Sequence, residues 1–122
     1  MATTTEQRNM ELMQTLDDAW NAQDVKVFRA RHKPDVVVRW PGTTVPTVGI
    51  EDHTKESIEF WKTFPNQKLD NHPYRIFFAS GDFTCSVARF RGSMWGPMKA
   101  PDGTMIPPTG KSFDLDFYTV AK

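Results

Sequence analysis

The chain has 122 residues, with 15 Lys and Arg balanced by 15 Asp and Glu, enough for one domain around one core and too few for two. Zero net charge, evenly mixed, leaves no electrostatic footprint for nucleic acid. No apolar run approaches a bilayer span, and Met1-Ala-Thr-Thr-Thr-Glu6 lacks the apolar segment of a secretion signal.

The chain opens with Thr3-x-x-Glu6, a capping box, followed by Leu12, Met13, Leu16, Ala19 and Trp20 at helical spacing. Glu6, Arg8, Glu11, Gln14 and Asp18 form the opposite, polar face. Asn21-Ala22-Gln23 ends this helix. Asp24 caps a shorter one carrying Val27 and Phe28, which Pro34 stops. Residues 35–40 read as a strand closed by Pro41-Gly42. A third helix over residues 51–64 turns Ile58, Trp61 and Phe64 to one side before Pro65 ends it. Residues 67–72 fit a short edge strand, because Pro73 cannot join a central ladder.

From Tyr74 the period changes from helical to two. Residues 74–79 lead through Ser80-Gly81-Asp82 into residues 83–95, and a proline- and glycine-rich connection, 96–110, precedes a last run over 111–120. In the long strand Phe83, Cys85, Val87, Arg89, Arg91, Ser93 and Trp95 share one face. Thr84, Ser86, Ala88, Phe90, Gly92 and Met94 share the other. Helices collected on one face of a curved antiparallel sheet give an α+β architecture with a cone-shaped cavity between them. Nine Phe and four Trp exceed the needs of a minimal core and suit an aromatic-lined pocket or a dimer interface. Cys85 is alone, so no intramolecular disulfide forms and a cytoplasmic location is expected. In its apolar setting it reads as a small buried hydrophobe.

Several stretches together carry a family resemblance: Trp20-Asn21-Ala22-Gln23-Asp24, Pro34-Asp-Val-Val-Val-Arg-Trp-Pro41, and Gly49 ahead of a helix closing at Phe64-Pro65-Asn66. Gly81-Asp82, Val87-Ala88-Arg89-Phe90 and Pro107-Pro108-Thr109-Gly110-Lys111 continue it. The chain resembles the SnoaL-like polyketide cyclases, or ester cyclases, of the NTF2-like superfamily. The resemblance implies one cone-shaped domain over residues 1–122, with a curved antiparallel sheet wrapped around the N-terminal helices and without the family's final strand. It implies a cofactor-free cyclase, isomerase, dehydratase or hydrolase. It also places Arg39 where the family has a first-strand His, Trp95 where it has a second His, and Thr119 where it has an acid/base Asp. None of these three readily takes a proton next to a carbonyl at neutral pH. A ligand-binding module that has lost its acid/base residues is therefore the alternative.

Arg39, Arg89 and Arg91 are the leading candidates for an anionic oxygen, since an arginine pair at the mouth of an apolar cone binds a carboxylate or enolate in bidentate fashion. The competing reading is a structural ion pair with Asp114 or Asp116. Asp114, Asp116 and Tyr118 share the polar face of the last strand, which puts both aspartates outside. Asp116 becomes a general base only if it points inward. His72 is a second candidate proton carrier, if its segment lies over the pocket. Trp20, Trp40, Trp61, Val87, Trp95, Phe117 and Thr119 complete the expected lining, with 96–110 as a flap. The histidines show no metal-ligand spacing, and no cofactor is expected. The expected partners are a hydrophobic small molecule and a second copy docked through the outer sheet face, with no nucleic acid and no membrane.

Overall fold

A computed structural model describes residues 3–122. Helix α1, Thr4–Ala22, begins with the capping box: Thr3 Oγ1 accepts from the Glu6 amide at 3.1 Å, and the Thr3 amide donates to Glu6 Oε1 at 2.7 Å. It ends at Gln23 in a left-handed conformation, φ 54°. Helix α2, Val25–Ala30, is capped by Asp24. The strand expected over residues 35–40 is shorter. Only Val37–Val38 (β1) pairs, with Thr47–Val48 (β2), while Val36 O and Pro34 O accept from Gly49 and Ile50 instead. Helix α3 covers Ile50–Thr63.

The main sheet is built on β5, Phe83–Ser93. Strands β3 (Lys68–Leu69) and β4 (Ile76–Ser80) pair along one edge of β5. Ser112–Ala121 pairs along the other, after a small hairpin of Met98–Lys99 (β6) and Met105–Ile106 (β7). That last strand, β8, pairs with β5 from Thr84↔Ala121 to Ser93↔Ser112. The register places Ala88 beside Phe117 and Phe90 beside Leu115, so even positions of β5 share a face with odd positions of β8. Helix α1 packs against that face over β3, β4 and β5.

Trp20 is the hub of the core. Its ring lies 5.2 Å from Trp61, 5.5 Å from Phe60, 6.2 Å from Phe28 and 6.4 Å from Phe90. Phe90 in turn meets Phe113 and Phe117 at 5.0 and 5.3 Å. These offset and edge-on contacts join the helices to the sheet. The exposed carbonyl at the end of α3 is satisfied where the chain leaves β5: Thr63 O accepts from the Trp95 and Gly96 amides, both at 3.0 Å. A Cβ on Gly96 would stand 2.0 Å from Lys62 O, so this close approach requires glycine. Among the described residues no helix is long and apolar enough to cross a membrane.

Candidate functional site

The inner face of the sheet is covered unevenly. Helix α1 lies over β3, β4 and β5, whereas β8 has β5 as its main neighbour. Leu115 belongs to the inner face, opposite Phe90, yet remains 46% exposed. With Phe117 and Thr119, both half-buried, it leaves an apolar strip of the inner face open beside the aromatic core. Trp20 and Trp61, expected to line a pocket, pack within that core. Trp61 Nε1 is a sealed donor with no acceptor among the described residues, an arrangement that ordinarily costs stability.

The arginines of β5 lie elsewhere. Arg89 shares the outer face with Asp116, and its Nε and Nη2 donate to Asp114 at 2.9 and 2.5 Å. That guanidinium holds the Asp114 carboxyl below the usual carboxylate range. Arg91 pairs with Asp70 at 3.4 Å and Arg75 with Asp116 at 3.0 Å. The expected cationic mouth is therefore a row of outer-face ion pairs, since strand alternation turns Arg89, Arg91, Val87 and Asp116 away from the aromatic interior. Val87 is buried, but between Ile76 and Tyr118 on that outer face. Arg39 is exposed at the end of β1 and has no carboxylate partner among the described residues.

The same parity corrects the position expected of Trp95. Met94 is the inward residue of Gly92-Ser-Met-Trp-Gly96, at 7% exposure, and Trp95 stands at 61%. Likewise Trp40, rather than its neighbour Arg39, turns inward toward α3, its Nε1 donating to Glu56. His72 does not overlie the open strip. Its Nε2 donates to Asp18 at 2.7 Å, and it lines an open depression of about 490 Å³ beside Asp18, Asn21, Gln67 and Asn71.

Two polar constellations were not legible in the sequence. Asp17, on the sheet-facing side of α1, accepts from the Tyr74 hydroxyl at 2.5 Å, and both residues are buried. Burial pushes the Asp17 carboxyl up to about 6; the Tyr74 hydrogen bond opposes this and the neighbouring Asp18 charge adds to it. Burial beside Asp17 likewise holds the Tyr74 phenol above its usual range. The second constellation joins the head of α3 to the β1–β2 hairpin. Glu56 accepts from His53 Nδ1 at 2.7 Å, Trp40 Nε1 at 2.9 Å and Thr47 Oγ1 at 2.6 Å. No cluster of three or more metal-ligating side chains occurs among the described residues.

The family model of the SnoaL-like polyketide cyclases matches residues 10–122. The chain belongs to that family. A provisionally named SnoaL-like polyketide cyclase from Jannaschia sp. CCS1 superposes with TM-score 0.83 at 24% identity, covering 98% of this SnoaL-like chain and 79% of its own. IdmH from Streptomyces antibioticus, provisionally named a polyketide cyclase, gives 0.71 at 19% identity over 93% and 81%. A protein from Xanthomonas campestris pv. campestris under the same provisional name gives 0.77 at 14% over 96% and 82%. These structures share the NTF2-like α+β cone with this SnoaL-like chain. No curated protein matches it.

The buried Asp17 carries a stability signature. Its folded value of about 6 lies above its ordinary 3.8, so the folded state holds the proton more tightly than the unfolded state. The contribution of Asp17 to stability is then greatest below about pH 4, falls as pH rises through 6 and is lost above, a difference of roughly 3 kcal/mol. Urea denaturation across that range should show this slope in the wild type, and Asp17→Asn should flatten it.

Proposed function

We propose that the protein is a cofactor-independent enzyme of the cyclase, isomerase or dehydratase type, acting on a hydrophobic carbonyl compound held over the inner face of β8. Family membership supports the reaction class. The observation that carries the substrate class is Leu115, an inward-facing leucine at 46% exposure beside Phe117 and Thr119. Apolar surface left open on the concave side of an aromatic core suits an apolar ligand. None of the three arginines singled out by sequence serves this ligand, because Arg39 turns outward beside Trp40 and Arg89 and Arg91 are engaged by Asp114 and Asp70. The single half-buried cysteine suits a reducing, cytoplasmic setting.

A second reading, a ligand-binding module without turnover, is favoured by the inward residues themselves. Trp40, Met94 and Thr119 offer no base. The two readings separate on α-tetralone in D2O followed by proton NMR, since deuterium exchange next to the carbonyl is the elementary step of the proposed chemistry. The enzymatic reading expects exchange above the uncatalysed rate, abolished by Leu115→Trp, which covers the open strip of β8, and unchanged by Arg89→Ala. Binding without exchange supports the binding module. Neither binding nor exchange overturns both.

We further propose a homodimer through the outer sheet face. Ile76 and Phe78 of β4 and Tyr118 and Val120 of β8 are 52, 52, 71 and 70% exposed, and register aligns them on one face around Val87 and Cys85. Sedimentation velocity should show a dimer that Val120→Glu dissociates; a wild-type monomer at tens of micromolar contradicts the pairing.

A further inference from the structure

The head of α3 carries a histidine whose two nitrogens have unequal surroundings. His53 Nδ1 lies 2.7 Å from Glu56 Oε2. An ionised carboxylate only accepts, so Nδ1 carries a hydrogen, and in the neutral ring the lone pair then resides on Nε2. Glu56 cannot turn away from this task, because Trp40 Nε1 donates to the same oxygen and Thr47 Oγ1 to the other. A buried structural histidine ordinarily has both nitrogens satisfied. Here Nε2 meets no protein partner. It is also not one of the sealed unpartnered atoms, which among the described residues are Trp61 Nε1 and Gln67 Oε1, although His53 as a whole is 5% exposed.

The neighbours leave that lone pair uncontested. The His32 ring lies edge-on to His53 at 5.0 Å, and its own Nδ1 donates to Phe28 O at 2.6 Å. Burial holds His32 below the usual imidazole range, so it stays neutral at physiological pH. Phe28 and Trp40 face His53 at 5.1 and 6.2 Å and supply apolar walls. The nearby charges are matched to one another, Arg29 pairing with Glu51 and reaching Thr54 Oγ1. From this group α3 runs on toward the sheet. Glu56, Phe60 and Phe64 recur every four residues along α3, and Phe60 and Phe64 meet the inner sheet at Phe90 and Phe113.

We propose that His53 is the proton carrier of this protein, with Glu56 as the residue that positions it. The proposal rests on the enzymatic reading above and supplies the base that reading lacks. Nε2 takes a proton from the carbon next to the ligand carbonyl. The C–H bond breaks, an N–H bond forms, and the electron pair enters the enolate. The imidazolium, still hydrogen-bonded to Glu56, then returns the same proton to a second carbon in an isomerisation, or to the alkoxide formed when the enolate carbon attacks a second carbonyl in a cyclisation. No oxidant or co-reactant is needed.

Two measurements test this. Long-range proton–nitrogen NMR of the uniformly 15N-labelled protein near neutral pH should show His53 as the Nδ1–H tautomer, with a deprotonated Nε2. Glu56→Gln should change that pattern. A wild-type Nε2–H tautomer overturns the proposal whatever the activity. In the α-tetralone exchange assay, His53→Asn should slow exchange at least 100-fold while Kd stays within about threefold, and Glu56→Gln should slow it by about tenfold or more, a loss in kcat rather than KM. Wild-type exchange that survives in folded His53→Asn overturns His53 alone. Absence of exchange in the wild type overturns the enzymatic reading and this proposal with it.

Discussion

The pairing of β5 with β8 is the constraint on which the rest of the structure depends. With Phe90 opposite Leu115 and Arg89 opposite Asp116, Phe90 and Phe113 of the inner face meet Trp20, Phe60 and Phe64 of the helices while the charges meet water. Because strand side chains alternate, a slip of one residue would exchange the two sets completely. It would place arginines and aspartates against Trp20 and Phe60, and the cost of burying those charges would exceed any gain from their pairing. The outer ion pairs follow from the register and do little to enforce it, since exposed pairs contribute about 0–1 kcal/mol. Packing of Phe90 and Phe113 against the helices, and of Phe117 against Phe90, stabilises the register more than those pairs do.

The same register separates three regions with different tasks. The outer face has a charged half, held by Arg75, Arg89 and Arg91 with their carboxylates, and an apolar half around Val87. The inner face is sealed where α1 covers β4 and β5 and open along β8. The head of α3, tied to the β1–β2 hairpin through Glu56, carries the polar chemistry that the inner strands lack. A SnoaL-like domain whose inward positions hold Trp40, Met94 and Thr119 thus leaves an apolar strip of β8 open and has a histidine–carboxylate pair on a helix.

Much of the architecture was legible in the sequence because its signals are local. The capping box at Thr3, the stops at Gln23, Pro34 and Pro65, and the alternation through residues 83–95 each act within a few residues. Alternation also placed Asp114 and Asp116 outside. Applied to residues 94 and 95, the same parity places Met94 with Phe90 and so points it inward. What escaped depends on partners distant in sequence. Asp17 carries no local sign of burial, because Tyr74 lies 57 residues away. His53 looks like an ordinary helix-start residue until the hairpin brings Trp40 and Thr47 onto Glu56. The β1 strand shrank to two residues because the backbone of Pro34 and Val36 is taken up by Gly49 and Ile50.

The central claim is that ligands meet the inner face of β8 and leave the outer face untouched. Methyl-resolved NMR of the protein titrated with α-tetralone tests it most directly. The account predicts chemical-shift changes at the methyls of Leu115, Ala88 and Met94, with those of Val87, Ile76 and Val120 unmoved. Shifts confined to the outer-face methyls would contradict it.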